Sequence, residues 1–369
     1  MIRAEPGAPA GAVAPGYEPV REAFAQAAAG SACAFAAFVD GAPVCDLQAG
    51  GPGPGWATVL YSGTKGVAAT ALLLLVEDGA LDLDSPVADL WPEFGAAGKA
   101  EISVATLLAH AAGLPAVERP LERRDLADQR ALAAALAGQA PLLDPGIPSY
   151  HAVTWGWLAA EVALRASGST LGAVIRDRLA DPLGLDLRLG VDPGDPLAAR
   201  LVRPRPASDY RLSAFMVDDP DPRLERVYGN PLIAIDSWAD PDLLAIEAPA
   251  VNGVATARAM AALYGELACG RLLRPETVAR ASQTASQGDD QLTGRPLRYG
   301  PSGYELAGTP SELGPAPDAI GHTGAGGGSH GAWPALRTGF SFLPMDLRSQ
   351  DADRRAAGVL AALHRVVAA

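Results

Sequence analysis

Leu60-Tyr61-Ser62-Gly63-Thr64-Lys65-Gly66-Val67-Ala68-Ala69-Thr70-Ala71-Leu72-Leu73-Leu74-Leu75-Val76-Glu77-Asp78-Gly79 is the stretch from which the rest of the chain can be read. Ser62 is a natural N-cap and Gly79 a natural stop, so the pattern predicts a strongly apolar helix that begins at or beside the serine. Only two lysines, Lys65 and Lys99, occur in 369 residues. Lys65 sits in the first helical turn, where the positive end of the helix dipole disfavours a cation. That field, together with burial against the apolar turns that follow, lowers an ammonium pKa and makes the amine a usable proton acceptor. Residues three apart share a helix face, so the Ser62 hydroxyl and Lys65 amine can meet. A serine beside such a base is a recipe for a covalent acyl intermediate, and Ser-x-x-Lys is one of its recognised spellings.

The bulk composition suits a large globular protein. Hydrophobic residues make up 49% of the chain, enough for a sizeable core, and the net charge of −13 argues against nucleic acid or an anionic membrane as the main partner. Cys33, Cys45 and Cys269 have no metal-ligand spacing, and an odd number makes a poor disulfide framework, so a reduced compartment is expected. The N-terminus lacks the continuous apolar core of a secretory signal, and no apolar run approaches the ~20 residues of a membrane span. A cytoplasmic protein without metal or cofactor is the expectation.

Outward from the Ser62 helix the chain opens helix (17–29), strand (32–39), an Asp40-Gly41 hairpin turn and a second strand (43–48). Helical patterns dominate from about 80 to 250, with clear helices at 153–166 and 171–179. The Pro- and Asp-rich stretch 190–250, carrying Phe215, Met216, Tyr228 and Trp238, reads as a lid over a site or a surface excursion. Helix returns at 255–268, and a Gly-rich segment, a strand at 339–343 and a helix at about 352–367 close the chain. The fold class is α+β: a sheet subdomain from 1–79 and 255–369, and a mainly helical subdomain from 80–254.

Two further segments carry chemistry. Ser149-Tyr150-His151-Ala152 puts a phenol on a turn just before the helix of Trp155 and Trp157, and a nearby ammonium would lower its pKa and make it a proton shuttle. Gly321-His322-Thr323-Gly324-Ala325-Gly326-Gly327-Gly328-Ser329-His330-Gly331 lets backbone amides approach a ligand closely, as an oxyanion hole requires. Inside it, Gly327-Gly328-Ser329-His330-Gly331 spells G-x-S-x-G, with Asp346 or Asp353 and then His364 in the order of a Ser-Asp-His triad. A nucleophile elbow needs a hydrophobic strand before its serine, which Gly324–Gly328 does not supply, so the match is set aside. His110 is expected to hold a loop by hydrogen bonds.

Taken together, Tyr61-Ser62-Gly63-Thr64-Lys65, Leu107-Leu108-Ala109-His110-Ala111-Ala112-Gly113-Leu114-Pro115, Tyr150-His151-Ala152 and His322-Thr323-Gly324 resemble the serine β-lactamase and penicillin-binding-protein superfamily. The likeness, over about 17–345, is to its class C-like branch of family VIII carboxylesterases, D-alanyl-D-alanine carboxypeptidases and natural-product acyltransferases and transamidases. The resemblance implies an antiparallel sheet flanked by helices, with Ser62 as nucleophile and Lys65 and Tyr150 sharing the proton transfers. It implies the amides of Ser62 and Ala325 as oxyanion hole, and His322, Thr323, Gly324, His151 and Trp155 as substrate contacts. Relatives that recognise penicillin usually carry Tyr-x-Asn; Ala152 in place of the asparagine offers no side-chain hydrogen bond, which points away from β-lactams. The expected substrate is a small-molecule ester or amide, cleaved by water or passed to an amine or alcohol. A non-catalytic binding protein is the reading of a different class, and the intact Ser62, Lys65 and Tyr150 set speaks against it.

Overall fold

The computed structural model describes residues 9–208, 210–211, 222–308, 312–349 and 352–369, so Phe215 and Met216 lie outside the described residues. Nine strands form one sheet: β1 (Ala10–Val13), β2 (Cys33–Val39), β3 (Ala42–Ala49), β4 (Ser286–Asp289), β5 (Pro296–Tyr299), β6 (Glu305–Leu306), β7 (Ile320–Gly324), β8 (Gly328–Trp333) and β9 (Thr338–Pro344). Their order is β1-β3-β2-β9-β8-β7-β6-β5-β4, and every neighbouring pair is antiparallel. The two ends of the chain meet at the β2–β9 pairing, Thr338 opposite Val39 through Pro344 opposite Cys33.

Strand β2 shows why the sheet is a middle layer. Cys33, Phe35 and Ala37 face one apolar cluster while Ala34, Ala36 and Phe38 face another. That is the period of two of a strand buried on both faces. On one side the cluster is completed by α1 (Glu18–Ala27), through Val20 and Phe24, and by the terminal helix α5 (Arg355–Val367), through Val359, Leu360 and Leu363. On the other lies α4 (Ala257–Ala268), which comes so close that a Cβ on Gly339 would stand 2.0 Å from the Gly265 nitrogen. Asp40 and Gly41, at φ 51° and 77°, close the β2–β3 hairpin as the Asp-Gly signal predicts.

The apolar helix of the opening stretch is α2, Gly63–Glu77. Every residue from Gly63 to Leu75 is buried, which is why its sequence is hydrophobic on all sides. It is the inner helix between the sheet and α3 (Thr154–Ser167), and Gly79 at φ 72° ends it. The predicted helix at 171–179 begins as an α-helix at Leu171–Ile175 and widens into a π-helical turn over Arg176–Ala180. Strands β1, β4, β5, β6, β7 and β8 were not legible as strands in the sequence. Among the described residues no single helix is long and apolar enough to cross a membrane; Thr154–Ser167 and Leu171–Ala180 reach that length only together, bent by 74°.

Candidate active site

The chain enters α2 through a short strand, Thr58–Val59, paired with Val254–Ala255. The Leu60 amide donates to the Gly253 carbonyl at 2.8 Å, and the Gly253 amide donates to Thr64 Oγ1 at 3.0 Å, so the turn is tied to the rest of the molecule on both sides of Ser62. Tyr61 takes the left-handed conformation, φ 50°, an uncommon and costly state for a residue with a side chain. Ser62 is the N-cap in position only. Its backbone is already helical and its hydroxyl caps no amide, because that hydroxyl is engaged elsewhere.

Three polar atoms form a triangle there. Lys65 Nζ is 3.2 Å from Ser62 Oγ and 3.0 Å from the Tyr150 hydroxyl, which donates to Ser62 Oγ at 2.8 Å. Lys65 Nζ also donates to the carbonyl oxygens of Ala152, at 2.8 Å, and Ala250, at 3.1 Å. Carbonyls only accept, so these two bonds use two N–H groups, the whole complement of a neutral amine, and turn its lone pair toward the hydroxyls. The side chain is fully buried, and burial drives its pKa well below the usual lysine value. The sequence-based expectation of a lowered amine therefore has its cause in desolvation.

Tyr150 departs from expectation. Burial pushes its phenol pKa up, against a smaller lowering from the Ser62 hydrogen bond. The group in the triangle is a neutral phenol that donates to Ser62 Oγ. Its position is set by the Tyr150 amide, which donates to Asp290 Oδ2 at 2.8 Å, and by a pair of histidines behind it. His110 Nδ1 accepts from the His151 amide at 3.0 Å, the His110 carbonyl accepts from the Ser149 amide, and the His110 ring packs 4.7 Å from the Tyr150 ring.

His151 and Trp155 do not meet the substrate contacts expected of them. His151 is fully buried, its Nε2 accepting from the Leu114 amide at 2.9 Å and its Nδ1 bonded to the Ser149 carbonyl. Trp155 is equally buried and donates from Nε1 to the Leu108 carbonyl at 2.8 Å. Both hold the loop that carries Tyr150 and the helix that follows it. On this helix the tryptophan that reaches the site cavity is Trp157. Two helical positions lie about 200° apart around the axis, so Trp155 and Trp157 face opposite sides.

The cavity over Ser62 and Tyr150 has a volume of about 410 Å³. Tyr228 and Trp238 line it with Trp157, so part of the Pro-rich 190–250 stretch forms its wall. Asn230 also lines it, but its amide group is spent on Val117, Arg119 and Leu121 backbone atoms.

Opposite Tyr150 stands the end of β7. Gly324 is required there, since a Cβ would fall 2.5 Å from the Leu60 carbonyl oxygen; likewise one on Gly63 would fall 2.6 Å from the His330 ring. Past Gly324 the chain turns back into β8 through Ala325, Gly326 and Gly327, the last two at φ 86° and 99°. Ala325 reaches the cavity, and among the described residues neither its amide nor that of Ser62 donates to a protein acceptor. His322 and Thr323 also line the cavity. His322 Nδ1 bonds to the Thr323 carbonyl at 2.7 Å, so Nδ1 carries the hydrogen and the buried Nε2 is an acceptor without a partner among the described residues. Burial lowers the His322 pKa to about 3, so the ring is neutral. Glu305, which the sequence did not single out, accepts at Oε2 from both the amide and the hydroxyl of Thr323, at 3.0 and 2.9 Å.

The G-x-S-x-G match leads nowhere in space. Ser329 lies within β8 and donates to the Glu312 carbonyl, Asp353 pairs with Arg355, Asp346 with Arg205, and His364 packs edge-on against Trp333. Among the described residues no group of three His, Cys, Asp or Glu side chains could hold a metal ion.

With the geometry in place, likeness to known proteins can be read against it. A family model described as Beta-lactamase matches residues 20–364. Esterase/beta-lactamase LipL of Mycobacterium tuberculosis (strain ATCC 25618 / H37Rv) is 33% identical over 358 residues, covering 90% of this chain and 81% of its own. Among solved structures, a novel penicillin-binding protein homologue from Caulobacter crescentus superposes with a TM-score of 0.87 at 31% identity, over 97% of this chain and 99% of that one. A family VIII carboxylesterase gives 0.88 at 30% identity, over 97% and 99%.

Proposed function

The chain belongs to the Beta-lactamase family and is a serine-dependent hydrolase of the carboxylesterase type, and we propose that Ser62 is its nucleophile, Lys65 its base and Tyr150 its proton relay. One observation carries this assignment: the buried Lys65 amine, with both hydrogens directed at carbonyls, has only its lone pair left for the Ser62 hydroxyl.

In the proposed reaction Ser62 Oγ gives its proton to Lys65 and attacks the ester carbonyl carbon. The oxygen that becomes negative is received by the amides of Ser62 and Ala325. As the tetrahedral carbon collapses, the Tyr150 phenol protonates the departing alkoxide and takes a proton back from Lys65. The products of this half are an acyl-Ser62 ester and a free alcohol. Water then enters, loses a proton to the restored base, and releases the acid and Ser62. An amine or alcohol in place of water would make the same site a transferase or transamidase, and a cavity of about 410 Å³ has room for such an acceptor beside an acyl chain. A cytoplasmic, natural-product setting is part of this transferase reading.

The assignment is tested by labelling with a serine-directed fluorophosphonate and mapping the modified peptide. Stoichiometric labelling at Ser62, lost in Ser62→Ala and slowed in Lys65→Met, is expected. Labelling elsewhere, or none on the folded protein, would count against an enzyme built on Ser62.

A further inference from the structure

Glu305 is the unexplained charge of the site. It follows the fully buried Tyr304, pairs across the sheet with Gly321 and Tyr299, and brings its carboxyl to the cavity wall. Oε2 is occupied by the Thr323 amide and hydroxyl, but among the described residues Oε1 has no hydrogen-bond partner, and the side chain is 23% exposed. The other charged groups on this wall are Glu312, Asp290 and Arg295, beside the neutral His322 and the phenols of Tyr61, Tyr150, Tyr228 and Tyr299. Asp290 accepts from three backbone amides, those of Tyr150, Leu292 and Thr293. His322 is neutral and offers an unpartnered acceptor, and the Thr323 hydroxyl is turned into Glu305. The wall beside the oxyanion turn is thus rich in acceptors. Three carboxyls share it with one guanidinium.

Such a wall repels an anion and leaves an ammonium or other N–H donor well satisfied. We propose that Glu305 is the specificity-determining residue of this site, selecting esters whose acyl chain carries a protonated amine and rejecting those that carry an anion. The inference rests on the reading of Ser62 as nucleophile and of the Ala325 amide as an oxyanion donor. Reach sets the length of the chain. Thr323, which holds Glu305, is two strand residues from Ala325, about 7 Å away. Three bonds beyond the ester carbonyl carbon span about 4 Å, and a hydrogen bond adds about 2.8 Å. A 3-aminopropanoyl group fits that distance.

The test compares p-nitrophenyl esters of 3-aminopropanoate, of butanoate, which replaces the ammonium by a methyl, and of 3-sulfopropanoate. The wild-type enzyme is expected to show a kcat/KM for the amino ester at least about tenfold above butanoyl, and for the sulfo ester about tenfold below it, each tenfold step being about 1.4 kcal/mol. Glu305→Gln keeps an acceptor for Thr323 and removes the charge, so the ratio of amino to butanoyl ester should collapse toward one. A second reading needs no variant. Burial and the neighbouring Glu312 push the Glu305 carboxyl up to about 7, so in the wild type the ratio should fall between roughly pH 8 and 6 while effects of Lys65 cancel. Equal rates for the amino and butanoyl esters, a preference for the sulfo ester, or a ratio unmoved by both pH and Glu305→Gln would overturn the inference. Intact mass separates the two claims. Butanoylation of Ser62 without amine selectivity sinks only this one, whereas no acylation of Ser62 by any ester sinks the proposed function as well.

Discussion

The carbonyl oxygen of Ala152 lies 2.8 Å from Nζ of Lys65. Ala152 is the position at which penicillin-recognising relatives usually carry asparagine, and here its backbone acts while its side chain does not. With the Ala250 carbonyl it consumes the amine's hydrogens and aims the lone pair at Ser62. Burial lowers the amine's pKa, and the backbone around it sets the direction of the lone pair.

Removing the base should remove the reaction while leaving the fold. Lys65→Met fills the same buried volume without an amine, and kcat/KM for a p-nitrophenyl ester should fall about 10²–10⁴-fold, the range of general-base catalysis. Circular dichroism should remain that of the wild type. A loss below threefold would show that another group takes the Ser62 proton.

Tyr150→Phe keeps the ring against His110 and deletes only the relay oxygen. Because the phenol is a neutral donor to the leaving group, the loss should appear mainly in kcat, about 10²-fold, and shrink for esters with good leaving groups that need no protonation. An equal loss for p-nitrophenyl and simple alkyl esters would argue against the relay.

The pH dependence follows from the direction of the Lys65 shift. A base must be unprotonated to act, so activity should be lost as pH falls through the lowered Lys65 value, giving an acid limb well below the ordinary lysine range that disappears in Lys65→Met. An acid limb placed near the ordinary lysine value would contradict a desolvated base.

Stability should follow the buried histidines. Burial lowers His151 to about 4 and His322 and His330 to about 3, and His110 lies well below its usual value. Between the folded and unfolded values the unfolded chain binds more protons, so this stability is complete above about pH 6.5 and is lost as pH falls toward 4. His151 alone accounts for ~3 kcal/mol at that limit. Thermal melts from pH 7.5 to 4.5 should show a steadily falling Tm, and a flat profile would contradict neutral buried rings.

A chromogenic cephalosporin should be a poor substrate. Ala152 supplies no amide for the β-lactam side chain, an omission of about 1–3 kcal/mol, and the proposed selectivity of Glu305 disfavours the anionic carboxylate that such compounds carry. Ala152→Asn together with Glu305→Gln should raise turnover, and wild-type turnover matching that of simple esters would refute this account of selectivity.

The chemistry-bearing residues stood out in the sequence to different degrees, for physical reasons. Lys65 was conspicuous because a cation in the first turn of an apolar helix breaks a local rule, and Ser62 followed from its spacing. Strands β7 and β8 were hidden because Gly321 and Gly331 stand opposite each other, Gly324 opposite Gly328 lets the Leu60 backbone approach, and these glycines erase the alternation that marks a strand. Glu305, between Tyr304 and Leu306, looks like an ordinary solvent-facing position of a short strand, and only the fold brings Thr323 to it. His151 and Trp155 stood beside the right residues in sequence, yet the turn and the helix period point them into the core. Phe215 and Met216 fall outside the described residues, but Tyr228 and Trp238 from the same stretch do wall the cavity.

The central claim is an acyl group carried on Ser62, and intact-protein mass after brief mixing with a p-nitrophenyl acyl ester tests it most directly. The account predicts one acyl increment on the wild type, absent from Ser62→Ala, that decays in water and decays faster if an added amine is a competent acceptor. An increment that persists in Ser62→Ala, or ester turnover undiminished by that substitution, would contradict it.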